Sequence, residues 1–337
     1  MSSPDRSVTG AGAAKESEVP TDAGPPREEN GARERPMPDL PPVTRQGERL
    51  EVVAIFGPTA SGKTAVAEAV ADRLGTEVVS VDAMQVYRGL PILTNQPERP
   101  TRLVAIRSVA EEMSLGAYAE LAHAEIDKLV ARHGAAVVSG GTGLYLRAAL
   151  ADLAVPPRVD AELRERVERE VDADRAAAHE RLGSLDPLAA GRIHPNDRQR
   201  LVRALELAEL GDSLASGDEL WSEATRRPTV VFGLDVPSGE LERRIEARAR
   251  AMFDRGVVDE VRGALAGSVS RTAAKTLGLR EIVELDPDEA RERIVVRTRR
   301  YASYQRKWMR RIPGITLLDG NRPPALVADE IVALARL

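Results

Sequence analysis

Residues 57–64 read Gly57-Pro58-Thr59-Ala60-Ser61-Gly62-Lys63-Thr64, which satisfies the phosphate-loop pattern G-x-x-x-x-G-K-[ST]. The pattern has meaning only between a strand and a helix, and this chain supplies both. The apolar run 52–56 has strand character, and 65–74 is Ala-rich with helical spacing. Such a loop turns backbone N–H groups inward on an anion, and the helix N-terminus adds its positive dipole end. Lys63 would neutralise phosphate oxygens and the Thr64 hydroxyl would ligate Mg2+. A glycine turn used only for packing leaves the Lys-Thr pair at the helix start unexplained. Nucleoside triphosphates are the usual ligands of such loops, so an ATP-binding kinase or ATPase is the default reading.

Further strand-like runs follow at 77–81, 103–106 and 135–139, with helical stretches at 65–74 and 115–133 between some of them. Short apolar strands alternating with amphipathic helices predict a parallel sheet covered on both faces. Ligands of such sheets sit beyond the carboxyl ends of the strands. The phosphate loop follows one strand, Asp82 ends a second, and Gly140-Gly141-Thr142-Gly143 follows a third. All three groups are therefore expected on one rim. From about 158 to 227 the pattern turns helical and charged, with pairs such as Glu165 and Arg169 at i, i+4. That stretch predicts an all-helical lobe inserted into a core formed by 49–157 and 228–337. A strand returns at 229–234, helices run to about 310, and 315–318 predicts a last strand. The fold class is α/β: a nucleotide-kinase-like parallel sheet covered by helices, with an inserted helical lobe.

Composition narrows the classes. Of the 337 residues 42% are hydrophobic and 30% charged, as in water-exposed globular proteins. No run approaches the roughly 20 apolar residues of a membrane span. The chain has no cysteine, which excludes disulfides and thiolate metal sites and fits a cytoplasmic protein. Residues 1–48 are rich in Pro, Gly, Ala, Ser and charge and cannot build a core. They have neither the apolar stretch of a signal peptide nor the acid-poor character of a transit peptide. They are expected to be a disordered tail, with Met37 available as an alternative start.

A net charge of −5 argues against a polyanion partner, but its distribution does not. Arg297, Arg299, Arg300, Arg306, Lys307, Arg310 and Arg311 crowd one stretch that holds no acidic residue. Tyr301, Tyr304 and Trp308 are interleaved at i, i+3 and i+7, a spacing that predicts one inward-packed helix face. The arginines would then form a broad positive surface, for which a merely solvated helix face is the alternative.

Four segments now stand in order: 57–64; Asp82-Ala83-Met84-Gln85-Val86-Tyr87-Arg88-Gly89; Gly140-Gly141-Thr142-Gly143-Leu144-Tyr145; and 194–206, beginning His194-Pro195-Asn196-Asp197. Together with the basic stretch they resemble the tRNA dimethylallyltransferases, and the likeness runs from about Val52 to Leu318. The resemblance implies transfer of an isopentenyl group from dimethylallyl diphosphate to N6 of adenosine 37 in tRNA, with Mg2+, by a cytoplasmic monomer. The loop would hold a diphosphate that departs whole, stabilised by Lys63, Thr59 and backbone amides. Arg248 matches a family arginine for the same diphosphate, and an exposed helix charge is its alternative. Asp82 matches the carboxylate that takes the proton from the adenine amine. A Mg2+ contact through water remains open for it.

The family's RNA contacts map onto Asp82, Ala83, Met84, Gln85, Thr142, Arg164, Gln199, Arg200, Leu201, Val202, Arg203, Lys275 and Arg280. Arg200 and Arg203 lie i, i+3 on one helix face, suited to phosphates or, alternatively, to a pair with Asp197. His194 is given no catalytic role. Two departures stand out. Ala83 occupies a position where the family usually has serine, and Thr94-Asn95-Gln96-Pro97 lacks the lysine of the family's Thr-Ala-Lys-Pro. Three rival readings share parts of this pattern: a small-molecule P-loop kinase, a prenyltransferase of free adenine nucleotides, and an inactive RNA-binding relic. The first two do not require the helical lobe or the basic stretch, and intact Lys63, Thr64 and Asp82 argue against the third.

Overall fold

The computed structural model describes residues 49–153, 159–214 and 224–335. The expectation of a disordered tail over 1–48 falls outside them. Five parallel strands form one sheet in the order β2-β3-β1-β4-β5: β1 (Val52–Phe56), β2 (Val78–Ser80), β3 (Ala136–Gly140), β4 (Thr229–Asp235) and β5 (Thr316–Asp319). β1 lies at the centre with every residue buried. Its side chains divide by the period-2 rule. Val52, Ala54 and Phe56 join a core with α2 (Leu115–His133) and α3 (Gly143–Leu150). Val53 and Ile55 face α1 (Lys63–Leu74) and the C-terminal α12 (Pro324–Ala335). Burial on both faces explains why the strands read as continuous apolar runs rather than alternating ones.

Register fixes the rim. Phe56 pairs with Gly140 and with Gly233, and Ser80 pairs with Ser139, so three strands end level with one another. The expected strand at 103–106 does not form. Arg102 makes an isolated bridge to Val79, and Leu103 and Ala105 then adopt positive φ of 63° and 53°, which breaks the extended chain. The other expected strands appear within one or two residues of their predicted bounds.

Between α3 and β4 the chain forms α4 (Ala161–Ala173), α5 (Arg175–Leu185), α6 (Pro187–Arg192) and α7 (Arg198–Glu209). They surround an apolar cluster of their own that includes Val167, Leu182, Leu201 and Leu205. Arg169 reaches the backbone carbonyl of Glu165, not its carboxylate, at 3.3 Å. Arg226 and Arg227, read from sequence as the end of the lobe, are fastened elsewhere. Arg227 pairs with Asp127 of α2 at 2.6 Å and with Glu51 at 2.7 Å. After β4 come α8 (Ser238–Asp254), α9 (Val257–Ala264), α10 (Leu279–Glu284) and α11 (Pro287–Met309). Asp286 caps α11 by accepting from the N–H groups of Asp288 and Glu289, and Pro287 occupies the first turn, where no N–H is needed. No helix among the described residues is long and apolar enough to cross a membrane.

Close packing at the rim leaves no room for a side chain at Gly140, where a Cβ would lie 2.3 Å from the Val81 carbonyl oxygen. Because that neighbour is backbone, Gly140→Ala should destabilise the fold by ~1–3 kcal/mol, the usual cost of overpacking. Urea unfolding of the variant against wild type measures it.

Candidate functional site

The loop between β1 and α1 turns on a hydrogen bond from the Ser61 N–H to the Pro58 carbonyl, 3.2 Å. Ala60 sits at φ 64°, a left-handed conformation that is uncommon for a residue with a Cβ. Its methyl packs against the cluster of Val236, Leu241, Ile245 and Ala302. The turn is gripped from two sides. Arg248 of α8 donates to Thr59 Oγ1 at 2.6 Å, while the Thr59 N–H donates to Gln305 Oε1 at 2.8 Å. The other end of the Gln305 amide donates to the Gly141 carbonyl at 2.9 Å, and the side chain is buried. A Cβ on Gly141 would meet Gln305 Nε2 at 2.3 Å. One amide of α11 thus ties the phosphate loop to the glycine loop after β3. Sequence reasoning missed Gln305 because it looked only for charge and aromatics in that stretch.

Two cations converge on the turn. Lys63 Nζ lies 3.4 Å from the Pro58 carbonyl, and burial brings its pKa down to about 8, with Asp82 opposing the shift and Arg248 adding to it. Arg248 is likewise lowered by burial, with Asp82 opposing. Half-buried positive charge in a loop with a buried hydroxyl, Ser61 Oγ, that has no hydrogen-bond partner among the described residues is an environment that favours an anion.

Asp82 follows β2 and enters a turn in which its Oδ1 accepts from the N–H groups of Met84 at 2.9 Å and Gln85 at 3.4 Å. Its charge reaches the buried Tyr118 and the half-buried Tyr145 and Tyr301. Burial first, then Asp82 among other charges, pushes Tyr145 and Tyr301 up to about 12 and Tyr118 well above its ordinary value. Tyr301 and Thr142 share a hydrogen bond of 3.2 Å between their hydroxyls. The segment after Asp82 is laced to 94–96. Gln85 Nε2 donates to the Asn95 carbonyl at 2.8 Å, and Gln96 Nε2 donates to the Tyr87 carbonyl at 2.7 Å. Gln96, in place of the family's lysine, therefore keeps a donor there without a charge.

Other expected contacts separate into classes. Gln199, Arg200, Lys275 and Arg280 are exposed, Arg200 lying 3.6 Å from Asp197 and Arg280 pairing with Glu284 at 2.7 Å. Arg164 and Arg203 both bond to the buried Glu206, at 2.7 and 2.9 Å. The structure places Leu201 and Val202, on the same helix, differently from Arg200. Both side chains are buried in the core of the lobe, which is what the apolar positions of a helix packed by its neighbours must do. The basic stretch is also less open than expected. Arg297 pairs with Glu281, Arg299 with Glu246, and Arg306 with Asp235.

No group of three or more His, Asp or Glu side chains among the described residues could hold a metal ion. Mg2+ does not need one: it binds through one or two protein oxygens together with phosphate oxygens and water. A Thr64 hydroxyl at the start of α1 and one carboxylate on the same rim fit that habit.

A level rim of parallel strands, a phosphate-loop sequence at its centre and two half-buried cations define a P-loop α/β protein. The profile of the IPP transferase family matches residues 85–312, and that of isopentenyl transferase matches residues 50–107. A tRNA dimethylallyltransferase of Anaeromyxobacter dehalogenans (strain 2CP-C) is 40% identical over 299 residues, covering 84% of this chain and 99% of that protein. One of Corynebacterium jeikeium (strain K411) is 37% identical over 302 residues, covering 85% and 97%. The crystal structure of the tRNA isopentenylpyrophosphate transferase of Bacillus halodurans matches with a TM-score of 0.61 at 29% identity, over 85% of this chain and 97% of that one. The chain belongs to the tRNA dimethylallyltransferase family and is a transferase.

The shifted lysine makes a test. An anion beside Lys63 raises its pKa, so ligand binding takes up a proton wherever the free amine is partly neutral, from about pH 8 upward. Affinity for inorganic diphosphate, used as the probe anion, should fall as pH rises through that range. Calorimetry in two buffers of different ionisation enthalpy at pH 9 should show proton uptake that Lys63→Met lacks. Folding carries the opposite sign. A lysine lowered on folding costs stability below about pH 8, and the cost fades as pH rises toward 10.5.

Proposed function

We propose that this protein transfers the dimethylallyl group of dimethylallyl diphosphate to N6 of adenosine 37 in tRNA, giving N6-isopentenyladenosine and free diphosphate. The observation that carries the reading is the convergence of Lys63 and Arg248 on the Pro58–Thr59 turn, within the field of a single carboxylate, Asp82.

The allylic C–O bond breaks as the N6–C bond forms, and the bonding pair leaves with the diphosphate, whose one added negative charge must be stabilised as it departs. Lys63, Arg248 and the loop amides supply fixed charge and dipoles for it. Mg2+, held through Thr64, would add positive charge on the diphosphate oxygens. The amine that attacks gives up a proton. Asp82 Oδ1 is occupied by two backbone N–H groups, whereas Oδ2 accepts no hydrogen bond among the described residues, which suits it to receive that proton. Thr142, held by Tyr301 across the rim, is available to orient the base. For the RNA, exposed Gln199 and Arg200 on α7 and exposed Arg300 and Lys307 on α11 offer contacts to phosphates.

The direct experiment incubates the protein with unmodified tRNA, dimethylallyl diphosphate and Mg2+ and analyses the nucleosides. Isopentenyladenosine at position 37 supports the reading. A phosphorylated small molecule formed from ATP would favour a kinase, and prenylation of AMP but not of tRNA would favour a nucleotide prenyltransferase.

Asp82→Asn keeps the shape and the acceptor for Met84 but cannot take a proton. Single-turnover transfer should slow by roughly 10²–10⁴-fold, with the binding of both substrates little changed. Intact chemistry at saturating Mg2+, with a weakened metal dependence, would instead make Asp82 a metal-shell residue.

A further inference from the structure

The sequence spacing of α11 predicts that Tyr301, Tyr304 and Trp308 pack inward together, and Tyr304 does not. Its side chain is 55% exposed, although its neighbours on the same face are half-buried. The ring meets that of Trp308 in a T-shaped contact, with centroids 6.4 Å apart and planes at 67°. Such a contact orients the ring without covering it. Trp308 is itself fixed, since its indole lies over Gly143, where a Cβ would come within 2.1 Å of the ring.

The position of Tyr304 around the helix is informative. At about 100° per residue it falls between two stripes. On one side are Tyr301, Gln305 and Trp308, which touch Thr142, Thr59 and Gly141, and Gly143. On the other side are Arg300 and Lys307, both exposed and without an ion pair among the described residues. An oriented, solvent-facing aromatic ring thus marks the border between the rim and a strip of uncompensated positive charge. In a chain of net charge −5, such a strip suits a polyanion better than another protein surface.

We propose that Tyr304 is a stacking platform for a nucleobase of the RNA substrate, the base neighbouring the adenine that enters the site. This rests on the tRNA reading above. Drawing one adenine out of a stacked loop strips its neighbour of a partner and exposes a π-face. Aromatic side chains flanked by cations hold such bases, the ring taking the face and the cations the phosphates. Arg300 and Lys307 are placed for the phosphates, and Tyr304 for the base.

The test uses the full chain and an unmodified anticodon stem-loop RNA, with affinity read by fluorescence anisotropy. Because Tyr304 is exposed, its replacement leaves the fold intact, which circular dichroism checks. Tyr304→Ala and Tyr304→Leu should each weaken RNA binding roughly tenfold to a hundredfold, the range of one lost base stack, whereas Tyr304→Phe should bind like wild type. The Michaelis constant for dimethylallyl diphosphate should not move. Unchanged RNA affinity in Tyr304→Ala, with prenyl transfer by wild type intact, overturns the stacking proposal alone. Equal affinity of the Leu and Phe variants overturns it as well, by assigning the contact to apolar area. If wild type transfers no prenyl group to the RNA, the tRNA reading itself falls.

Discussion

A phosphate loop must hold its amides and its lysine around a space that will contain an anion, and it must do so before the anion arrives. Here the task falls to Thr59, gripped through its backbone N–H by Gln305 and through its hydroxyl by Arg248. The two partners come from different helices, α11 and α8, which pack against each other. Gln305 also spans to Gly141 and so makes the loops after β1 and β3 one unit. A buried amide that satisfies both its donor and its acceptor costs little, whereas an apolar residue there would orphan two backbone groups. The level ends of the strands bring the loops near each other, and Gln305 fixes their spacing.

Charge is arranged around that fixed turn in a way that would be unfavourable for folding alone. Lys63 and Arg248 are both half-buried, and burial is the main reason that both titrate below their ordinary values. Asp82 offsets part of the cost but does not form a close ion pair with either among the described residues. Its nearest fixed partners are the N–H groups of its own turn. On the proposed reading, the cations are kept unpaired for a ligand and one carboxylate oxygen is kept uncommitted for a proton. The surface arginines behave differently. Arg99 with Asp72 and Arg102 with Glu77 form close two-pronged pairs in the open, where each contributes little to stability.

Much of this was legible in the sequence, for physical reasons that can be stated. Strands buried on both faces leave continuous apolar runs, and a glycine loop between such a run and a helix has few alternative uses, so β1, α1 and the rim could be read directly. The false strand at 103–106 failed because Leu103 and Ala105 take left-handed conformations that tertiary contacts impose and that their side chains do not announce. Gln305 was invisible because an uncharged amide in a basic helix has no pattern of its own. The burial of Leu201 and Val202 was not legible because resemblance transfers a segment whole, whereas a helix divides its residues between core and surface every turn. Tyr304 was assigned inward on spacing alone, and α11 is wide enough that the edge of its buried stripe lies one residue short of it.

The two departures from the family pattern show what the site must keep. At Ala83 a hydroxyl is missing, yet the Asp82 turn closes through backbone N–H groups that any residue would supply. At Gln96 a cation is missing, yet the carbonyls of Tyr87 and Gln85 still receive donors, at 2.7 and 3.3 Å. Gln85 returns the bond to the Asn95 carbonyl and in turn accepts from the Ser80 hydroxyl at 2.8 Å. The hydrogen bonds that hold the segment after Asp82 therefore survive the loss of the charge. A neutral amide can replace a lysine wherever its work is to fill carbonyl acceptors, and it cannot where its work is to meet an anion. On the proposed reading the anion then falls to Lys63 and Arg248, the two positions where partial burial surrounds a positive charge.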